Sequence, residues 1–182
     1  LTPREKESIF GPMSARQEAR ERRESKIVPS VQVVLFRNGE QGLEFLLFHR
    51  ISGAFTGNWA PVGGALEEGE STRQAAIRES LEEAGVELEE RQLRFIRKTS
   101  ASTDRVIDGK TIWYIYPFQV FAVSADGLKP SNTATGEHDE MKWITLTEAS
   151  SMQDQGLISN TTLETFTMIQ ARIQGLQQSS HL

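Results

Sequence analysis

The chain contains no cysteine, which excludes disulfides, thiolate metal sites and cysteine nucleophiles. Its 182 residues include no apolar run long enough to span a bilayer and no secretory signal, so a cytoplasmic protein is expected. A basic surface is missing as well. With 20 Lys and Arg against 25 Asp and Glu the net charge is −5, which argues against binding along a nucleic-acid backbone. There is no internal repeat and no low-complexity tract. What remains is one ordinary domain, large enough for a real core, with an added arm.

That arm is residues 1–26. Ser14 to Ser25 reads as a helix with almost no apolar face, expected to be a solvated arm or a surface that packs on a partner subunit. The period then changes. Val31 to Arg37 and Leu43 to Arg50 are β-rich runs around Asn38-Gly39, a strong hairpin signal. A glycine-rich loop follows from Ser52 to Gly64. Leu93 to Thr99 reads as a strand, and Asp108-Gly109 turns the chain into the long run Thr111 to Val123, where Pro117 implies a bulge or an edge. Met141 to Leu146 is a short strand. Leu163, Phe166, Ile169, Ile173 and Leu176 recur at three- and four-residue spacing, the signature of a core-facing terminal helix. Hairpins, helix, further strands and a closing helix predict an α/β (α+β) fold, a mixed β-sheet sandwiched by helices.

One stretch carries chemistry: Gly64 to Val86, GALEEGESTRQAAIRESLEEAGV. On a helical wheel Glu79, Glu82 and Glu83 share one face, and Ile77, Leu81 and Ala84 supply the opposite, packing face. Ala75 lies on the acid face one turn earlier, where a small side chain leaves room for a ligand. Ser71 or Thr72 can cap the start, and Gly85 suits the C-terminal left-handed position. Glu82 and Glu83 fall in the last turn, where the helix dipole is negative and like charges repel. A solvated acidic face is the ordinary reading of such a segment. Glu70, Arg78 and the bounding glycines favour a metal site instead, because carboxylate oxygens are the ligands hard divalent cations prefer.

The spacing Gly64, five residues, Glu70, seven residues, Arg78-Glu79-x-x-Glu82-Glu83-x-Gly85 resembles the Nudix box. All the fixed positions are present, a coincidence on the order of one in a million per chain. Ser80 stands where a bulky aliphatic is usual, and Pro61-Val62-Gly63-Gly64 sets the proline one place back from the usual Pro-Gly-Gly. The resemblance covers roughly residues 28 to 176 and implies an α/β/α sandwich over 27–182. It also implies hydrolysis of nucleoside diphosphates linked to another moiety. By resemblance Glu79, Glu82 and Glu83 bind Mg²⁺, with Mn²⁺ as a substitute and more than one ion per site, and the Ala60 or Gly64 carbonyl is an extra ligand. Arg78 would orient a carboxylate, and Glu70 would brace the loop. A glutamate well past the box would act as base, with Glu140 favoured, Glu137 second and His138 third.

Substrate signals are weaker. In this family a proline some way after the box points to ADP-ribose and a tyrosine to dinucleoside polyphosphates; Arg97 to Asp108 contains neither. Phe55, Trp59, Trp113, Tyr114 and Tyr116 are candidates to stack on a base, and Arg50, Arg105 and Lys110 to contact phosphate or ribose. A charged N-terminal arm resembles the branch that cleaves ADP-ribose and other nucleoside diphosphate sugars as homodimers, which is the favoured expectation. The competing readings are a house-cleaning (deoxy)nucleoside triphosphate pyrophosphohydrolase and a nucleotide sensor without activity. The isomerase that shares the fold depends on a cysteine this chain lacks.

Overall fold

The structure is a computed structural model that describes residues 25–133 and 136–179. The arm expected at 1–26 lies outside the described residues except for Ser25 and Lys26, which already belong to the sheet. In chain order the strands are β1 (Ser25–Ile27), β2 (Ser30–Gly39), β3 (Gly42–Arg50), β4 (Trp59–Ala60), β5 (Arg94–Ile107), β6 (Lys110–Ser124) and β7 (His138–Thr145). The helices are α1 (Thr72–Ala84), α2 (Leu146–Asp154) and α3 (Asn160–Ser179), with a short 3₁₀ turn at Glu90–Gln92.

β6 is the spine of the sheet. Along one edge it pairs antiparallel with β5, and along the other it pairs in parallel first with β1 and then with β2. Pro117 is therefore on neither an edge strand nor a bulge, contrary to the expectation from its sequence context. It falls at the seam between Ile115, the last residue paired with β1, and Phe118, the first paired with β2, where a missing N–H interrupts no ladder. The bulge is across from β6, between Phe95 and Arg97 of β5.

The β2–β3 hairpin turns at Glu40-Gln41, because Gly39 pairs with Gly42, and not at Asn38-Gly39. Alternation decides this. The observed register sends Val34, Phe45 and Leu47 to one buried face and Leu35, Leu46 and Phe48 to the other, and a one-residue slip would reverse every one of them. β5 runs well past the expected Thr99. Its outer part opens with the small run Thr99-Ser100-Ala101-Ser102-Thr103 and the charged pair Asp104-Arg105, which lack the apolar alternation of a strand, but it pairs with β6 up to the Asp108-Gly109 turn.

Beyond Phe36 and Phe45 the hairpin strands part, and residues 59–65 are wedged between them. Trp59 and Ala60 pair with His49 and Phe48 on β3, and on β2 Val62 bridges Val33 while Ala65 bridges Ser30. This wedge leads straight into α1.

α1 covers one face of the sheet, over Val31, Val33, Leu35, Leu46, Phe48 and Val62. Its start is a capping box between Ser71 and Gln74, and Gly85 ends it at φ 63°. The wheel assignment needs correction. The buried residues are Ala75, Ala76, Glu79, Ser80, Glu83 and Ala84, whereas Leu81 is 48% exposed. Ala75 is fully buried in the core and leaves no room for a ligand. Small side chains let the helix lie close to the sheet, and Ser80 satisfies its hydroxyl by donating to the Ala76 carbonyl (2.7 Å).

α2 and α3 cover the other face. α2 is absent from the sequence expectation, although Thr145 and Glu148 form the capping box that starts it. On α3 Phe166 and Ile169 are buried, but Leu176 is 72% exposed and lies past the end of the core. The rings of Phe45 and Phe166 stack at 4.2 Å with both side chains fully buried. Replacing Phe166 with Ala should cost about 3–5 kcal/mol in denaturant unfolding. Because this core lies on the sheet face away from α1, turnover per folded molecule should be retained.

Candidate active site

The wedge and α1 together build the site. Gly63 passes so close to the β2 backbone that it tolerates no side chain, and a side chain on Gly64 would displace the Glu79 carboxylate. A Cβ on Gly63 would lie 2.2 Å from the Val31 carbonyl oxygen, and one on Gly64 would lie 2.2 Å from Glu79 Oε1. The Gly63 N–H donates to Glu83 Oε2 (2.9 Å), which aims that carboxylate at the loop. The Gly64 carbonyl accepts from the Val31 N–H (2.9 Å) and so serves the sheet. Ala60 and Gly64, the two residues whose carbonyls the sequence names, both line the cavity.

Arg78 is the hub of the acidic helix. Its Nε and Nη2 donate to the two oxygens of Glu70 (3.0 Å each), and Nη2 also reaches the Ala65 carbonyl (3.0 Å). Nη1 donates to Glu79 (2.8 Å) and Glu82 (3.0 Å). Glu70, the most strongly held partner, is pulled below the usual carboxylate range by this contact, and the guanidinium is held charged in return. Glu79 bonds to the same arginine yet its pKa is raised, because burial outweighs the pairing.

Glu83 is buried more deeply, and desolvation pushes it up to about 8 against the opposing pull of the Gly63 N–H and Arg50. Arg50 sits among the acids in a network of its own. It donates to the Ala54 carbonyl (3.1 Å) and Glu137 (3.1 Å), and lies 3.8 Å from Glu83. His138 is buried beside Arg50 and Glu83, and burial lowers its pKa to about 4, so its ring is neutral at pH 7.

Beyond the carboxylates opens a cavity of about 280 Å³, lined by Glu79, Glu83, Arg50, Phe55, Ala60, Gly64, Arg105, Tyr116 and Glu137, among others. Larger grooves, of about 800, 950 and 520 Å³, lie elsewhere on the surface of the described residues and reach neither Glu79 nor Glu83. Of the residues singled out from the sequence, Glu140, Trp59, Glu82, Arg78, Glu70, His138, Trp113, Tyr114 and Lys110 are not on the cavity wall. Glu140 is paired with His49, so the two side chains share a sheet face, whereas the bulge after His49 pairs Arg50 with His138 on the α1 side. Glu137, second in the sequence ranking, therefore replaces Glu140 at the cavity. Trp59 packs between His49, 5.2 Å away, and Lys142, whose ammonium lies 4.0 Å from the ring centre. Glu82 is half exposed beside Arg78.

Sequence reasoning missed the clamp on the end of α1. The Ser131 N–H donates to the Ala84 carbonyl (2.9 Å), the Thr133 N–H to the Glu83 carbonyl (3.3 Å), and the Thr133 hydroxyl to the Glu82 carbonyl. The Ser-Asn-Thr run is a hydrogen-bonding signal, but nothing in the sequence says which helix end it meets.

Among the described residues no three carboxylate or imidazole groups already converge on one point. The donor set nonetheless fits a hard divalent cation: oxygen ligands, two of them buried, both pushed upward in pKa as carboxylates lacking a sufficient counter-charge are.

An acidic helix under a glycine wedge, facing a cavity walled by a further carboxylate, defines a phosphate-handling hydrolase of the α/β/α sandwich class. The family model described as the NUDIX domain matches residues 26–163, and the chain belongs to that family of phosphoanhydride hydrolases. Solved structures with the same architecture include a C. elegans Ap4A hydrolase in a binary complex, 24% identical, covering 81% of this chain and 98% of that one, with a TM-score of 0.51. The NUDIX domain of Shewanella oneidensis NrtR complexed with ADP ribose is 18% identical over 95% of this chain and 99% of that one, with a TM-score of 0.59. A bifunctional NMN adenylyltransferase/ADP ribose pyrophosphatase from Francisella tularensis, complexed with AMP and Mn ion, is 19% identical over 86% and 45%, with a TM-score of 0.53. At these identities the likeness is one of fold.

Metal-free stability should carry the mark of Glu83. Its folded pKa of about 8 exceeds the ordinary 4.5, so the native state holds the extra proton. That contribution is complete below pH 4.5 and is lost as pH rises through 8. His138, lowered to about 4 from 6.5, acts in the opposite sense as pH falls below 6.5. Denaturant unfolding between pH 6.5 and 8 should therefore show stability falling by at most about 1.4 kcal/mol per pH unit. The slope should flatten in Glu83→Gln.

Proposed function

We propose that this protein is a divalent-metal-dependent pyrophosphohydrolase of nucleoside diphosphate sugars, ADP-ribose among them, releasing a nucleoside monophosphate and a sugar phosphate. The observation that carries the reading is the pair of buried carboxylates, Glu79 and Glu83, opening on a cavity that Glu137 and Arg50 also line. Two structures of the same fold hold ligands of this chemistry, ADP ribose in one and AMP with Mn ion in the other.

Glu79, Glu82 and Glu83, with the Ala60 carbonyl, would hold Mg²⁺ or Mn²⁺, more than one ion per site. When bound, the metal neutralises phosphate charge and makes water a better nucleophile at neutral pH. The chain's own residues do the rest. Arg78 holds Glu79 and Glu82 at fixed positions and faces the helix instead of the phosphates. Glu137 is the base that takes the proton of the attacking water, and Arg50, 3.1 Å away, orients its carboxylate. Phe55, Tyr116 and Arg105 stand further along the wall, where the nucleoside would lie.

Product analysis on ADP-ribose, GDP-mannose, UDP-glucose, a diadenosine polyphosphate and nucleoside triphosphates tests this reading. Metal-dependent release of nucleoside monophosphate and sugar phosphate is expected, abolished by chelator and by Glu83→Gln. Glu137→Gln should lower kcat about 10²–10⁴-fold, the usual worth of a general base, with Glu140→Gln close to wild type. Pyrophosphate released from triphosphates alone would assign the house-cleaning reaction. Nucleotide bound without any turnover would make the protein a sensor.

A further inference from the structure

The site draws its carboxylates from two elements. Glu79 and Glu83 come from α1, which packs over β2, and Glu137 directly precedes β7, which pairs with β3. A tie between the end of the helix and the start of the strand would fix their separation, and Ser131–Thr133 has the contacts to be one. Its outer members grip α1. The Ser131 N–H, the Thr133 N–H and the Thr133 hydroxyl all donate to carbonyls at the helix end, those of Ala84, Glu83 and Glu82. The fit is close: a Cβ on Gly85 would lie 2.9 Å from Ser131 Oγ and 3.3 Å from Thr133 Cγ2.

Between those two anchors Asn132 reaches the strand, where its Nδ2 donates to the His138 carbonyl at 3.4 Å. The preceding residue, Glu137, is held through its own carbonyl, which accepts from the Ile51 N–H at 2.9 Å. Arg50 holds the side chains of the same two residues, with Nη2 on Glu137 (3.1 Å) and Nη1 3.4 Å from His138 Nε2. A guanidinium only donates, so Nε2 accepts and the proton of the neutral ring sits on Nδ1. Asn132 Oδ1 and His138 Nδ1 are buried without a hydrogen-bond partner among the described residues. An acceptor left unpaired under cover costs stability, so packing alone would favour an apolar side chain at 132. An amide standing there in spite of that cost, bonded to the residue after Glu137, points to a task in holding the site.

We propose that Asn132 is a positioning residue. Through the clamp it ties the end of α1 to the start of β7, and so fixes Glu137 at its working distance from Glu79 and Glu83. The proposal rests on the reading of Glu137 as the base. It adds that the base is placed by the acidic helix itself, so that proton acceptor and metal ligands move as one body. Asn132 is not on the cavity wall, so its effect falls on the chemical step and not on binding.

The test compares the full wild-type chain with Asn132→Leu, Glu137→Gln and the double variant, and uses Asn132→Ala as a smaller replacement that cannot clash. Asn132→Leu keeps the bulk while removing the donor and the unpaired acceptor together, so the Tm should hold within a few degrees. Mn²⁺ affinity by calorimetry and the KM for ADP-ribose should change less than about twofold, whereas kcat should fall about tenfold or more, as a displaced base requires. In the Glu137→Gln background the same substitution should cause no further loss, because it acts through the residue already removed. Hydrogen exchange reads the tie without turnover. Protection of the Ile51 N–H, which donates to the Glu137 carbonyl, should drop about tenfold while that of the Gly63 N–H is unchanged. An unchanged kcat with unchanged Ile51 protection in both Asn132 variants, beside a slow Glu137→Gln, would overturn the tie and leave the base in place. A fall in kcat as large in the Glu137→Gln background would overturn it too. Faster exchange at Ile51 in a protein whose Glu137→Gln variant matches wild type, or that turns over no ADP-ribose, would keep the tie and remove the base.

Discussion

The structure depends on keeping Glu79 and Glu83 out of water. Neither carboxylate could be buried at this depth in a packed core without compensation, because ionised groups lose most of their solvation there. The compensation is supplied piecemeal by one hydrogen bond from Gly63, by Arg50 near Glu83 and by Arg78 beside Glu79. It is incomplete, which is why both acids are raised in pKa. An incompletely balanced negative pair facing a cavity is what a divalent cation completes.

Several features that look independent follow from that burial. α1 lines its sheet-facing side with alanines and Ser80 because only small residues bring its acids down to the wedge. The wedge carries Gly63 and Gly64 because a side chain at either place would collide with β2 or with Glu79. Parting of β2 from β3 opens the slot that the wedge fills, and its bridges to both strands keep the sheet's polar groups satisfied. The Ser131–Thr133 clamp satisfies the last carbonyls of α1, the end at which the helix dipole is least favourable to acids.

The sheet divides its labour between faces and along its length. One face carries α1 and the charge, and the other carries α2, α3 and an apolar core that anchors the molecule. Past the helices, β5 and β6 continue as a ribbon. Arg50, Glu137, Phe55 and Tyr116 line the same cavity as Glu79 and Glu83, so acids, cations and rings meet in a single groove.

How much of this was written in the sequence differs from element to element. The spacing from Gly64 to Gly85 determined the acidic helix, its cap at Ser71 and its left-handed end, because these are local and depend on residues within a few positions of one another. The 3.6-residue period of Leu163 to Ile173 determined α3, and Asp108-Gly109 determined its hairpin, for the same reason. Helical phase was legible only in part. The wheel grouped the three acids but placed Leu81 on the core, since a wheel does not know which face the sheet will meet. Glu140 and Glu137 could not be ranked from the chain, because a single bulge after His49 decides which of them shares a wall with α1. The long range of β5 and the seam at Pro117 were likewise decided by tertiary structure. Each depends on pairing between segments far apart in sequence, where register is set by the fit of two buried faces and not by any residue's own preference.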